Sequence, residues 1–159
     1  FAAKMTNMKQ ITIKVAWNNS AFEGLVSSET SYGEMKIVTK DFNDIIDMGE
    51  AELKIGFDGY TEFGLELPEW YKNKEYEFVY KFQDVTAMLK AYSSYVSLAA
   101  ISRETGINSA LLSHYANGLK VPRNKQQKII VSGLHRIGAL LSKCTIDDER
   151  KTQLNIERK

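Results

Sequence analysis

The last strand-like alternation of apolar residues in this chain ends at Phe82, and that boundary constrains the fold more than any other feature. Before it the period of a strand, every second position, recurs in four segments around one helical stretch, and beyond it apolar side chains recur only at every third or fourth position, the period of a helix. From Gln10 to Trp17, Ile11, Ile13 and Val15 alternate with Thr12, Lys14 and Ala16, which predicts a half-buried strand. Asn18-Asn19-Ser20 predicts a turn. Ala21 to Ser27 follows as a second strand at hairpin distance, and Glu34 to Thr39 as a third after a Ser/Thr/Gly break, so the first three strands are expected to be antiparallel.

Asp41 can cap a helix that presents Phe42, Ile45, Ile46, Gly49 and Leu53 on one face, from about Phe42 to Lys54. The segment from Gly56 to Lys74, with three glycines and Pro68, is expected to be mostly irregular. Glu75 to Phe82 sets Tyr76, Phe78, Tyr80 and Phe82 on one face of a fourth strand. The order is β-β-β-α-β. Four helices are expected after it: one following Asp84, a second over Leu98 to Thr105 capped by Ser97 and stopped by Gly106, a third over Ser109 to Asn117 capped by Asn108, and a long one from Lys125 to about Lys143. In the last, Ile130, Leu134, Ile137 and Leu141 form an apolar seam suited to a homodimer, and Gly133 is a candidate kink. The fold class is therefore α+β. Residues 1–9 are expected to be a disordered arm or an appended remnant, residues 10–82 an N-terminal domain, residues 83–144 an all-α domain, and residues 145–159 a charged tail.

Charge divides along the same line. Residues 1–80 hold 8 Lys and Arg against 14 Asp and Glu, and residues 81–159 hold 13 against 6, although the whole chain of 159 residues carries a net +1. The acidic part suits a basic protein partner and the basic part suits phosphate backbones.

Several chemistries find no residues to carry them. The single cysteine, Cys144, can form no internal disulfide and no multi-cysteine zinc site, which favours a reducing, cytoplasmic setting. His114 and His135 stand 21 positions apart, without the spacing of a metal site. Asp41, Asp44 and Asp47 could suggest an acidic metal cluster, but a solvated helix face explains their spacing more simply. The stripe of Tyr76, Phe78, Tyr80 and Phe82, with Lys81 its one interleaved basic residue, reads as core rather than a base-stacking platform. No nucleophile elbow, phosphate-binding loop or dinucleotide glycine pattern is present. No stretch approaches a membrane span. The expectation is a protein that is not an enzyme, with no cofactor, no metal and no membrane association.

The most informative string is SLAAISRETGINSALLSHYANGLKVP, Ser97 to Pro122. Two short helices meet at Gly106, Ile107 plugs the corner, and Ile101, Leu112 and Tyr115 point to a small core, which is a helix-turn-helix pattern. Ser109, Ala110, Ser113, His114 and Asn117 are then expected on the outer face of the second helix. The basic run Lys120, Arg123, Lys125 and Lys128 lies just beyond it, and from Ser97 to Arg136 only Glu104 opposes 6 basic residues.

This string resembles the helix-turn-helix of phage-repressor-type, Xre-like, DNA-binding domains. The resemblance implies that Ser109, Ala110 and His114 touch bases, with Asn108 and Ser113 beside them, and that Ser97, Asn117, Lys120, Arg123 and Lys125 hold phosphates of double-stranded DNA. Leu98 stands where many relatives place a Gln that reaches the backbone. Together with the β-β-β-α-β half and the continuation NKQQKIIVSGLHRIGALL, Asn124 to Leu141, the chain is similar to HicB-like antitoxins. Here Ser27 to Gly33 reads SSETSYG, where that family often has a Pro-rich, Gly-Cys-containing stretch. The resemblance implies a partial ribonuclease-H-like N-terminal domain that caps a small basic toxin ribonuclease, and a dimeric repressor of its own operon. The other reading is a stand-alone transcriptional regulator whose N-terminal domain senses a ligand or dimerises.

Overall fold

The computed structural model describes residues 8–27 and 35–147. The described residues are mixed α+β, with a four-stranded sheet and six α-helices. Strands β1 (Lys9–Asn18), β2 (Ala21–Val26) and β3 (Met35–Thr39) pair antiparallel as expected, with Asn19 and Ser20 both at positive φ in the β1–β2 turn. Most of the SSETSYG segment lies outside the described residues.

A single 3-10 turn, Phe42–Asp44, follows β3, with the Asp41 carboxylate accepting from the Asn43 N–H at 2.9 Å. Helix α1 (Ile45–Glu62) then crosses the sheet and lays Ile45, Gly49, Leu53 and Phe57 on one of its faces. Helix and sheet approach closely at Gly49, where a Cβ would lie 3.2 Å from Phe78 Cζ. The chain continues through α2 (Glu69–Lys72) into β4 (Tyr76–Phe82), which pairs parallel with β1, so the strand order is β3-β2-β1-β4.

Two expectations fail between Lys54 and Lys74. Helix α1 does not stop near Lys54 but runs to Glu62, and α2 replaces part of what was expected to be irregular chain. Helical glycines at 56 and 59 cost about 1 kcal/mol each relative to alanine, yet Phe57 is buried against the rings of Tyr60, Trp70 and Tyr71 at 5.3, 5.6 and 4.1 Å. Burial of an aromatic cluster outweighs local propensity. The helix closes at Gly64, φ 68°, with the Leu65 N–H donating back to the Tyr60 carbonyl at 2.9 Å.

Helices α3 (Val85–Tyr92), α4 (Leu98–Thr105), α5 (Ser109–Ala116) and α6 (Asn124–Leu141) complete the chain. They enclose a second core of Val85, Met88, Leu89, Ile101, Ile107, Leu112, Tyr115 and Ile130. The expected boundary at residue 82 is crossed by packing, because α3 serves both cores: Met88 and Leu89 belong to the second, whereas Ala91 belongs to the first with Tyr92 packed against it. The Phe42 ring is central to this junction, lying 5.6 Å from Phe22, 5.1 Å from Tyr80, 5.7 Å from Phe82 and 5.7 Å from Tyr92. The Tyr95 hydroxyl donates to Asn43 Oδ1 across the same junction. Burial pushes the Tyr80 hydroxyl up to about 12, with Tyr92 and Tyr95 adding to the effect.

Gly133 does not kink α6, which is helical without a break. A Cβ there would fall 2.5 Å from Thr105 Cγ2, so the glycine serves the close approach of α6 to α4. The Arg136 guanidinium locks that approach, donating to Glu104 Oε1 at 2.5 Å and to the Glu104 carbonyl at 3.1 Å.

Candidate nucleic-acid interface

Each end of α4 and α5 is set by one residue. Ser97 Oγ accepts from the Ala100 N–H at 3.1 Å, and Asn108 Oδ1 accepts from the Ala110 N–H at 2.7 Å, so both caps are formed. Between them Gly106 adopts φ 74°, and its N–H reaches the Ser102 carbonyl at 2.8 Å. Thr105 Oγ1 donates to the Ile101 carbonyl at 2.7 Å and accepts from the Ile107 N–H at 3.2 Å, which ties the corner to α4. Ile107 is buried in that corner, and Ile101, Leu112 and Tyr115 face inward onto Ile130. From the α3 side, Thr86 Oγ1 donates to the Tyr115 carbonyl at 2.6 Å and fixes the C-terminal end of α5.

Asn108, Ser109, Ala110 and Asn117 are exposed, which leaves the first turn of α5 open to solvent. Ser113 and His114 are half-buried rather than fully outward, so the accessible face is narrower than the sequence suggests. Its cause lies after α5: the chain folds back through Gly118, φ 71°, and the His114 carbonyl accepts from the Leu119 N–H at 2.9 Å. Asn117 Nδ2 donates to Ser113 Oγ at 3.4 Å, partly occupying both side chains.

Lys120, Arg123, Lys125 and Lys128 are all exposed, and none forms an ion pair among the described residues. Arg123 occupies the N-cap position of α6 without a side-chain capping bond, so its guanidinium is uncommitted. Pro122 is buried beneath the loop, and its carbonyl accepts from Gln127 Nε2 at 3.1 Å. The exposed turn of α5, with its uncancelled N–H groups, and four free cations therefore belong to adjoining segments of one all-α unit, an arrangement that can hold anions. Leu119 and Val121, 71% and 83% exposed, also lie in this loop and were missed in the sequence because single apolar loop residues carry no periodic signal.

The expected dimer seam divides. Ile130 is fully buried within the chain's own core, whereas Leu134, Ile137 and Leu141 line a groove of about 650 Å³ together with Phe42, Tyr80 and Tyr95. His135 also lines this groove and is exposed. Of the acidic trio, Asp41 caps the 3-10 turn, Asp44 accepts from Thr39 Oγ1 at 3.2 Å, and Asp47 is exposed. Among the described residues no group of three or more His, Cys, Asp or Glu side chains is arranged to hold a metal ion, and no helix is long and apolar enough to cross a membrane. No protein-family model matches this chain, and neither a curated protein nor a solved structure matches it.

Proposed function

We propose that the chain is a DNA-binding antitoxin whose α4–α5 pair acts as a helix-turn-helix and whose acidic N-terminal half covers a small basic ribonuclease. The observation that carries the first half is the capped, exposed start of α5 beside uncommitted Lys120, Arg123, Lys125 and Lys128. In this reading Ser109 and Ala110 meet base edges at the groove floor, while Ser97, Asn117 and the cations position the backbone. Ser and Ala make no bidentate base contact, so specificity draws on DNA shape and bridging water. His114, half-buried, contributes at the margin of the readout. The protein acts without catalysis, as a dimer on an operator of two half-sites, and represses its own operon.

The second half rests on charge. The outer surface of α1 presents exposed Asp47 and Glu62 beside Asp58, paired with Lys54 at 2.7 Å, and Glu50, which accepts from the Tyr76 hydroxyl at 2.5 Å, and a basic toxin would approach this surface faster at low salt. A partial ribonuclease-H-like identity for the sheet and α1 is part of the same proposal. The reading as a ligand-sensing regulator is favoured by one observation, the 650 Å³ groove where the two halves meet.

The test is a salt titration of duplex binding. Replacing Lys120 and Arg123 together by Ala should weaken binding to all duplex sequences alike. It should also lower the slope of log affinity against log salt by ~1.8, or ~0.9 for each phosphate that is no longer neutralised. An unchanged slope would remove this surface from the interface.

A further inference from the structure

The N-terminal half, acidic as a whole, carries a row of lysines across the face of its sheet that α1 leaves bare, with Glu23 and Glu77 on the same face outside that row. The register settles which residues share that face: Lys81 pairs with Lys14, Lys14 with Leu25, and Leu25 with Lys36, so one row crosses all four strands. Ile13, Val15, Gly24 and Ile37, the sequence neighbours of these residues, are buried on the opposite face. Three of the four residues in the row are lysines. Neighbouring strands lie ~4.8 Å apart, so the backbone of the row spans roughly 14 Å, with Lys14 and Lys81 directly paired on adjacent strands.

Like charges directly opposite one another weaken a sheet, and no ion pair among the described residues offsets the adjacent pair. Glu23 lies 3.4 Å from Lys36 Nζ, but Lys14 and Lys81 have neither an ion pair nor a hydrogen bond from their side chains among the described residues. The row also lies in a concave groove of about 620 Å³, whose wall includes Asn18 and Gln83. A groove that gathers ammonium groups, two amides from the C-terminal ends of the parallel strands β1 and β4, and a single already paired carboxylate is complementary to closely spaced anions. Its aromatic lining residue, Phe82, is half-buried with its ring packed on Phe42 and Tyr92, which separates the groove from platforms that read single strands by stacking on exposed rings.

We propose that this groove is a second nucleic-acid site, one that binds the phosphate backbone of a single strand without regard to sequence. The strand crosses the sheet along the lysine row, Lys14 and Lys81 hold adjacent phosphates, and Asn18 and Gln83 donate to the phosphate oxygens between and beside them. It is independent of the duplex-binding surface proposed above, and it would let the N-terminal half engage RNA while α5 engages DNA.

The experiment uses the full chain carrying Lys120→Ala, Arg123→Ala, Lys125→Ala and Lys128→Ala, which removes the four cations of the other basic surface, with a fluorescent fifteen-nucleotide oligothymidylate as the probe and pyrophosphate as a competitor. The oligonucleotide should bind, and pyrophosphate should displace it only at high excess. Adding Lys14→Gln and Lys81→Gln should lower the salt slope by ~1.4, at ~0.7 per phosphate for a single strand, with the melting temperature unchanged or raised. Lys14→Arg with Lys81→Arg should keep the binding. Loss of oligonucleotide binding in the Lys120→Ala, Arg123→Ala, Lys125→Ala, Lys128→Ala background alone would overturn the proposal, as would undiminished binding after Lys→Gln. An equal loss in the Gln and Arg variants would also overturn it, because charge would then not be the cause.

Discussion

Replacing Gly133 by alanine in the middle of α6 would ordinarily stabilise the protein, by ~1 kcal/mol through helix propensity. The packing predicts no such gain. The new Cβ would stand 2.5 Å from Thr105 Cγ2, closer than two carbon atoms approach, so either Thr105 must rotate or α6 must withdraw from α4. Rotation breaks the bonds from Thr105 Oγ1 to the Ile101 carbonyl and from the Ile107 N–H, together worth ~2 kcal/mol. Withdrawal stretches the Arg136 bonds to Glu104 and loosens Ile130, with overpacking costs of ~1–3 kcal/mol. The cheaper route costs ~1–2 kcal/mol, so after the propensity gain Gly133→Ala should be neutral to about 1 kcal/mol destabilising in urea unfolding and lower the melting temperature by up to roughly 4 °C. Thr105→Ser deletes the obstructing methyl and keeps the hydroxyl. In that background Gly133→Ala should instead stabilise by up to ~1 kcal/mol. A gain in stability from Gly133→Ala in the otherwise unaltered chain would refute the close approach of α4 and α6, and with it the placement of α5 on top of them.

Ser97 has two roles that substitution can separate. Ser97→Ala removes the cap and should cost ~1 kcal/mol of stability, whereas Ser97→Asp should keep the melting temperature and still weaken duplex binding by placing a carboxylate against phosphate, so equal duplex affinity in the Asp variant and the unaltered chain would remove Ser97 from the interface. Tyr80 gives a pH prediction: its folded-state value is raised, so the protonated form is the one the fold favours. The stability it contributes is complete below the ordinary tyrosine value near 10 and is lost as pH rises through about 12. Denaturation followed across this window should show stability falling, and Tyr80→Phe should flatten that fall; an equally steep decline in the variant would assign it to other groups.

The elements legible in the sequence were those whose signals are local. Ser97, Gly106 and Asn108 mark the α4–α5 corner within a few residues, and the structure uses each as a cap or a left-handed turn. Alternation at Ile11, Ile13 and Val15 was sufficient for β1 because one face of that strand is buried. What escaped depends on contacts between distant residues. The extension of α1 past two glycines needs Trp70 and Tyr71, which no window around Phe57 contains. The role of Gly133 needs Thr105, and the sharing of α3 between two cores needs Phe42. Of the candidate interface, the caps and cations were readable, but the partial covering of Ser113 and His114 follows from how the chain leaves α5. The lysine row could not be read because nothing before β4 reveals which strand it will join.

That parallel pairing bears on how the chain emerges from the ribosome. Strands β1, β2 and β3 can zip together as soon as they are made, since each meets its neighbour through a short or moderate connection. The outer edge of β1, however, waits for partners as far as 67 positions downstream, as Gln10 does for Glu77. Until β4 arrives, that edge is an unpaired template for any other extended chain, and Phe42 has only Phe22 of its four ring neighbours beside it. Synthesis of Val85–Tyr92 follows directly after β4, so the helix that closes the Phe42 cluster is delivered within a few residues of the strand that completes the sheet. The aggregation-prone interval therefore lasts from the end of β3 to the end of α3, and a pause in translation placed inside it would lower the yield of folded protein more than the same pause placed later.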